Sequence, residues 1–284
     1  MRKNGLLLTV VILFGSLVNA QTAIYDGKLF GKIKSIRLLI YNDSTRDPYW
    51  RVADSMVCFY DNNGHQQGKS VMFYFDLRGQ ITEISTDERD ANGKVTKETS
   101  NFPLRKSMAN TAYIYDQAGS LIKEVGSKSD GTVDYSIVYV YSDGHLIQKQ
   151  TEQRDPTYPR NDVKLTYQYD AKGKKIESDE YSNDVQREEI RFQYDASGNN
   201  TKSIHHFPDP AYGADFEIRY RYDADGNMLT EDKYQPMGVL LTKTTYEYTF
   251  DSNNNWTEMK RREIVLRNNH IRSCKKWKKT IEYY

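Results

Sequence analysis

The sequence has little cysteine, little net charge and no long apolar run beyond its first twenty residues. Two cysteines in 284 residues exclude a disulfide-dense scaffold and a cysteine-based zinc site. Forty Lys and Arg against 39 Asp and Glu give a net charge of +1, which is not typical of a nucleic-acid-binding protein. Only 38% of residues are hydrophobic, even with 23 tyrosines counted, so a thick aliphatic core is not expected. The 13% aromatic content equally disfavours wholesale disorder.

The first twenty residues have the order of a secretory signal peptide. A basic start, Met1-Arg-Lys, precedes the apolar run 6–18, and small residues then lead to a predicted cut between Ala20 and Gln21. As a helix this run would span about 20 Å, less than the ~30 Å of a bilayer core. No segment of the mature chain, 21–284, is apolar enough to cross a membrane. We therefore predict an exported protein that is periplasmic, outer-membrane-associated or secreted.

The mature chain contains one recurring phrase: aromatic, any residue, aromatic, Asp, two residues, Gly. The clear copies are FYFDLRG (73–79), YIYDQAG (113–119), YQYDAKG (167–173), FQYDASG (192–198) and YRYDADG (220–226). Weaker copies are YVYSDG (139–144) and YTFDSNN (248–254), in which Asn254 replaces the glycine. From Tyr115 to Phe250 the second aromatic recurs every 25 to 28 residues. A nearly fixed period indicates stacked copies of one supersecondary unit.

Each copy of the phrase predicts a β-hairpin. Aromatics two residues apart lie on one face of a strand, and the Asp-x-x-Gly that follows is typical of a tight turn whose glycine has positive φ. The helical period is absent after the leader. We therefore predict an all-β protein, an antiparallel meander of about seven hairpins that forms a curled or partly closed sheet. Residues 33–41 are predicted to add an opening strand. Cys58 takes the core-facing position that an aromatic residue has in the other copies, whereas Cys274 is predicted to face the other side of its strand, so no disulfide between the two is expected.

The two edges of this sheet are predicted to differ. We call the edge formed by the Asp-x-x-Gly turns the constant edge, and the opposite edge, which collects prolines in the segments 155–159, 207–210 and 235–238, the variable edge. Loops on a rigid scaffold are where binding usually occurs. The predicted binding residues are Tyr158, Tyr212 and Tyr234, carried by the loops 152–162, 205–216 and 234–239.

The residue between the two aromatics of each copy points to the opposite face of the sheet, so its polarity predicts whether that face is covered. It is apolar in the early copies, as at Ile114 and Val140, and polar in the later ones, as at Gln168 and Arg221. This pattern predicts that the first half of the sheet is covered on both faces and the second half on one.

The phrase Y-x-Y-D-x-x-G-x-L resembles the YD-repeat, or RHS-repeat, superfamily over roughly residues 56–260. The resemblance implies that 21–284 form a single array of β-hairpins that curls or spirals. In large members of that superfamily the sheet closes into a shell around a toxin. This chain is too short to enclose a second domain, and its end, KKWKKTIEYY, carries no toxin segment.

No set of residues predicts catalysis, a metal site or a cofactor. His205 and His206 are adjacent, so they face opposite sides of a strand and are expected at a solvated strand end. The Asp223–Gly226 turn lacks the ligand spacing of a calcium loop. We therefore predict a non-enzymatic binding or structural module of the bacterial cell envelope, with an unknown protein or glycan as partner and no nucleic acid. Two alternatives stay open: an exported hydrolase with an unrecognised carboxylate or histidine site, and a shell-like remnant of a toxin-associated system.

Overall fold

The computed structural model describes residues 32–43, 51–60, 66–75, 80–154, 162–266 and 270–284, and all of their regular structure is β-strand. The predicted signal peptide lies outside these ranges. No helix in the described part of the chain is long and apolar enough to cross a membrane. The eighteen strands within the described ranges are β1 (Ile33–Asp43), β2 (Arg51–Tyr60), β3 (Gln66–Phe75), β4 (Ile81–Arg89), β5 (Val95–Phe102), β6 (Ser107–Tyr115), β7 (Leu121–Lys128), β8 (Val133–Ser142), β9 (His145–Gln153), β10 (Val163–Tyr169), β11 (Lys175–Ser182), β12 (Val185–Tyr194), β13 (Asn200–His206), β14 (Phe216–Tyr222), β15 (Met228–Tyr234), β16 (Leu240–Phe250), β17 (Trp256–Val265) and β18 (His270–Tyr283).

The strands form an antiparallel meander that closes on itself. Each strand pairs with the next one along the chain, and β1 pairs with β18 as well as with β2. Leu38 of β1, for example, lies opposite Met56 on one side and Lys279 on the other. Closure satisfies the backbone of the first and last strands, which would otherwise be exposed sheet edges. The predicted all-β meander is confirmed, with nine hairpins among the described strands where the phrase predicted about seven.

One face of the ring carries most of the buried side chains, and we call it the inner face. The strand register connects it from strand to strand: Tyr113 lies opposite Glu124, which lies opposite Ile137. The buried residues of this face are Ile36, Leu38, Cys58, Ser85, Tyr113, Glu124, Ile137, Tyr139, Lys149, Val163, Ser178, Ser203, Thr244, Met259, Trp277 and Lys279. Polar and apolar side chains are mixed here, as the low apolar content of the sequence led us to expect.

The repeated tyrosines are tied to the preceding hairpin by their hydroxyl groups. The second tyrosine of a copy donates to a backbone carbonyl 2.7 to 3.0 Å away, in the pairs Tyr115–Val95, Tyr141–Leu121, Tyr169–Leu146, Tyr194–Lys175 and Tyr222–Asn200. The first tyrosine donates to an inner carboxylate in the pairs Tyr113–Glu98 and Tyr139–Glu124, and Tyr246, two residues before the last copy, donates to Glu231. The aromatic residues of the phrase therefore serve packing between successive hairpins.

The constant-edge turns have the predicted geometry. In the turn at 195–199 the Gly198 N–H donates to the Asp195 carbonyl (3.1 Å), and the Asp195 carboxylate accepts from the Asn199 N–H (2.9 Å). Gly198 and Gly226 have φ values of +94° and +86°. Asn254, which replaces glycine in the last copy, also has a positive φ of +63°.

One copy of the phrase is out of phase with the others. Met72 pairs with Ser85 on the inner face, so Phe73 lies on the outer face, whereas Tyr113 lies on the inner one. The FYFDLRG segment (73–79) leads from β3 to β4, which is the variable edge; its turn residues 76–79 lie outside the described residues. This copy lies on β3 and the next on β6, a step of three strands, whereas the later copies follow one another in steps of two strands. Because neighbouring strands run in opposite directions, an odd step places the turn of this copy at the opposite edge of the sheet.

The expectation about the faces of the sheet is wrong. Ile114 and Val140 are exposed, so the first half of the sheet is not covered on both faces. The ring is a single layer, and nothing in the described residues packs on its outside. At the variable edge, the segments Lys128–Thr132 and Gln235–Val239 form the same hydrogen-bonded turn as the constant edge.

The two cysteines lie on opposite faces. Cys58 is buried on the inner face opposite Ile36. Cys274 is half-buried. It lies three positions before Trp277 on β18, so it faces outward whereas Trp277 faces inward, and it pairs with Arg262 of β17.

Candidate functional site

Two of the three predicted binding residues lie at the variable edge of the described structure. Tyr212 is in the connection between β13 and β14, and Tyr234 ends β15. Tyr158 belongs to segment 155–161, which lies outside the described residues.

Tyr212 is exposed and is covered on its ring by an arginine. Its exposed fraction is 43%, and the guanidinium of Arg187, at the start of β12, lies 3.7 Å from the ring centroid. A planar guanidinium stacked on an aromatic ring fixes both side chains without hiding the polar end of the tyrosine. The loop therefore presents a tyrosine that is already oriented.

Tyr234 has the same kind of partner. The Arg219 guanidinium lies 4.3 Å from the Tyr234 ring, and its Nε donates to Glu217 at 2.7 Å. Burial alone would raise the pKa of Glu217, but hydrogen bonds from Lys202 and Arg219 outweigh it and lower that pKa. Glu217 is therefore a carboxylate that holds Arg219 in place over the tyrosine.

We call Arg187, Tyr212, Arg219 and Tyr234 the tyrosine–arginine patch. It extends from β12 to β15 along the variable edge, and each tyrosine contacts a different arginine. The loop prolines and tyrosines led us to the edge, but the arginines were missed. Arg219 and Tyr234 are fifteen positions apart and meet only because Glu217 is in register with Tyr234.

A second group of polar residues lies on the inner face beside this patch. Ser203 Oγ lies 3.0 Å from His205 Nε2, and His205 Nδ1 lies 2.7 Å from Glu188 Oε1. The His205 ring stacks on Phe216 with centroids 4.2 Å apart. The order hydroxyl, imidazole, carboxylate is that of a catalytic triad. This group could not be recognised from the sequence, because three strands contribute the residues around His205.

Burial argues against catalysis by this group. Ser203 is only 1% exposed, and its hydroxyl is also 3.1 Å from that of Tyr220. A nucleophile needs a reacting carbonyl about 3 Å away, and Ser203 is covered by its neighbours. We therefore interpret Ser203, His205 and Glu188 as a packing network.

The two adjacent histidines have different environments. His206 is exposed and lies 2.9 Å from the Asp215 carboxylate, as expected of a solvated strand end. His205 is enclosed, so the expectation was wrong for that residue. Beyond Glu188, Glu180 lies directly opposite on β11, and burial together with the charge of Glu188 raises the pKa of Glu180.

No metal-binding arrangement is present among the residues that the structure describes. No three His, Cys, Asp or Glu side chains come together there as ligands for an ion.

No family model matches this chain, and no curated protein matches it. Among solved structures, it is similar to a porin-like protein from Bacteroides uniformis, with a TM-score of 0.46, 12% identity, and coverage of 89% of this chain and 99% of the other. A putative outer membrane lipoprotein-sorting protein domain from Vibrio parahaemolyticus gives a TM-score of 0.31, 9% identity and coverage of 94% and 92%. The Tc holotoxin pore of Photorhabdus luminescens gives 0.27, 12% identity and coverage of 82% of this chain but 18% of the toxin chain.

All three likenesses are too weak to carry a functional argument. The resemblance to YD-repeat proteins therefore depends on the phrase in the sequence, and function is argued from the residues of this chain.

Proposed function

We propose that this protein is a non-enzymatic, exported binding module of the bacterial cell envelope, and that it holds its partner at the variable edge. The observation that carries this proposal is the tyrosine–arginine patch. Its two tyrosines lie at the edge where loop length varies, and each is oriented by a stacked guanidinium.

Physical reasons favour this edge over the constant one. Tyrosine and arginine are enriched in the centres of interfaces, because they combine large contact area with directed hydrogen bonds. Orienting them before binding lowers the entropy lost on association. At the constant edge the Asp side chains are already engaged by the amides of their own turns, for example Asp170 by the Lys174 N–H.

The test uses the mature protein as bait. Envelope extract is solubilised in mild detergent and cleared by ultracentrifugation, and captured proteins and glycans are compared between wild type and variants. Tyr212→Ala with Tyr234→Ala should reduce capture at least tenfold. Arg187→Lys with Arg219→Lys keeps the charge but removes the planar stack, and should give an intermediate loss.

The matched control is Asp170→Asn with Asp195→Asn at the constant edge. These variants should capture the same partner as wild type. Equal loss in the constant-edge control, or full capture by the double tyrosine variant at unchanged melting temperature, would contradict the proposal.

A further inference from the structure

The connections at the variable edge carry large apolar side chains that point into solvent. Met237 is 91% exposed, Leu104 is 60% exposed and Val185 is 51% exposed. Others at or next to these connections are Met108, Val133, Tyr212, Val239 and Leu266. These side chains lie on separate connections, not in one contiguous patch, but they share one end of the ring, where a single apolar surface would contact them together.

The described constant-edge turns carry no such residues. Their two central positions hold small or polar residues: Ala91 and Asn92, Gln117 and Ala118, Ala171 and Lys172, Ala196 and Ser197, Ala224 and Asp225, and Ser252 and Asn253. Exposed apolar side chains near this edge, such as Ile114, Val140 and Ile176, lie within strands on the outer face. Among the turns that the structure describes, large exposed apolar residues occupy the tips only at the variable edge, although Phe250, 42% exposed, ends β16 directly before the constant-edge turn at 251–255.

The spacing of these exposed apolar residues along the variable edge favours a partner with an extended surface. Eighteen strands about 4.8 Å apart make a circumference of at least about 86 Å. Leu104, between β5 and β6, and Met237, between β15 and β16, are eight strands apart by the shorter way round, or about 38 Å along the edge. Because the strands alternate in direction, all the variable-edge connections lie at the same end of the ring. A flat apolar surface can contact them together, whereas a compact ligand cannot.

Charged side chains lie among the exposed apolar residues of the outer face. The outer face carries exposed Arg191 and Lys260 in the middle of their strands. At the variable edge, exposed Arg105 and Lys106 directly follow Leu104, and Arg187 lies over Tyr212. An apolar tip beside cations, as at Leu104, suits a membrane interface, where acyl chains and phosphates lie within a few ångströms of one another.

We propose that the variable edge rests on the surface of a lipid bilayer, with the side chains of Leu104, Val185 and Met237 inserted at the headgroup level. The inference rests on the proposed function in using the same edge. Acidic Asp130, Asp184, Asp209 and Asp215 share that edge, so apolar insertion supplies most of the binding and anionic lipid adds to it near Leu104. A second copy would offer apolar groups only at its own widely spaced tips, which makes it the less favourable occupant.

The experiment is flotation of the mature protein with vesicles of phosphatidylethanolamine and phosphatidylglycerol (3:1), and in parallel with vesicles of phosphatidylcholine alone. Wild type should float with both and more completely with the first. The edge variant Leu104→Ser, Val185→Ser and Met237→Ser should float at least tenfold less. The matched control, Ile114→Ser, Val140→Ser and Ile176→Ser, removes exposed apolar groups from the outer face and should float like wild type.

Insertion is measured separately with Met237→Trp. Its fluorescence should shift to the blue on vesicles and be quenched by lipids brominated near the headgroup, whereas Leu229→Trp on the outer face should not respond.

Three outcomes would overturn the inference: no flotation of wild type, flotation lost in the outer-face control but not in the edge variant, or a stable dimer in light scattering that the edge variant abolishes. If flotation fails while the detergent-cleared capture still depends on Tyr212 and Tyr234, the lipid inference is wrong and the proposed function stands.

Discussion

At the residue scale, the glycines of the repeated turns show how local chemistry sets the fold. Gly198 and Gly226 both have positive φ, a conformation that side chains with a Cβ adopt at a cost. A Cβ on Gly198 would also lie 3.1 Å from the Lys174 amine, whereas one on Gly226 would come no closer than 3.9 Å to Asn199. The Lys174 amine belongs to the preceding turn, so successive turns contact one another along the constant edge.

We expect Gly198→Val and Gly226→Val each to cost about 1–2 kcal/mol of stability because a β-branched residue is strained at positive φ. The loss at Gly198 should be the larger, since Lys174 must also move. Asn254→Gly should be neutral or mildly stabilising, because Asn254 already has positive φ. Thermal melting measures all three, and a Gly198→Val protein that melts like wild type would show that the turn assignment is wrong.

Ser203 is expected to be unreactive because it is closed off from solvent. A fluorophosphonate probe should not label the native protein, and Ser203→Ala should not change any ester hydrolysis measured with small chromogenic substrates. Labelling at Ser203 that disappears in His205→Ala would support the hydrolase alternative instead. Unfolded protein serves as the control for general reactivity.

At the element scale, strands are held together by side chains that reach across a neighbour. Tyr135 of β8 passes over Gly126 of β7, and its hydroxyl lies 3.1 Å from that of Thr111 on β6. A Cβ on Gly126 would overlap the Tyr135 ring, although the backbone at this position does not require glycine. Glycine is needed here for space alone.

Gly126→Ala should therefore destabilise by about 1–3 kcal/mol, the usual cost of overpacking. In a Tyr135→Ala background the same change should cost almost nothing, because the ring it displaces is gone. A double-mutant cycle by urea denaturation measures the coupling. Additive losses would mean that the ring does not lie over Gly126.

The constant-edge turns should be sensitive to acid. Hydrogen bonds from backbone amides lower the pKa values of Asp170 and Asp195 in the folded protein. Since the unfolded value is about 4, each carboxylate stabilises its turn above that pH, and the contribution is lost as pH falls through the lower folded pKa. Amide hydrogen exchange should therefore accelerate in these turns as the pH falls below about 4.

The Gln235–Val239 turn is the matched control, because it makes the same backbone bonds with glutamine in place of aspartate. After correction for intrinsic rates it should keep its protection over that range. Asp195→Asn should remove the acid response of its own turn only. Equal responses at Gln235 and Asp195 would indicate global unfolding rather than local titration.

At the scale of the whole molecule, the contact between β1 and β18 turns an array of hairpins into a ring. Ten residue pairs run from Ile33–Tyr283 to Asp43–Cys274. Nearby, Leu38, Trp256, Met259 and Trp277 form the buried hydrophobic cluster of the ring. The largest apolar side chains are thus placed where the chain closes.

Removal of residues 267–284 should open the ring. The truncated protein leaves β1 and β17 each with an unpaired edge, and such edges join other chains. We expect a lower melting temperature and self-association in size-exclusion chromatography with light scattering. A monomeric truncated protein with wild-type melting would show that closure contributes little.

Prediction from sequence succeeded where the information was local. The strand β1, the hairpins from Tyr113 to Phe250 and the positive φ of Asn254 follow from alternation and turn chemistry within a few residues. It failed where distant residues decide: the reversed phase of Phe73, the enclosure of His205 and the exposure of Ile114. For the candidate site, loop composition indicated Tyr212 and Tyr234, whereas Arg187 and Arg219 emerged only from their placement beside the tyrosine rings.

The sequence by itself determined the β-hairpin, its turn and the difference between the two edges, because side-chain alternation and backbone φ depend on neighbouring residues. Tertiary structure alone decided that β1 meets β18, that Ser203 is buried and that apolar tips share one end of the ring. Each of these depends on which strands become neighbours. Ser35 and Glu282, for instance, are 247 positions apart and hydrogen-bond across the closure. No short segment of the sequence encodes such a pairing, because it forms only when the whole ring has the number of strands that lets its ends meet.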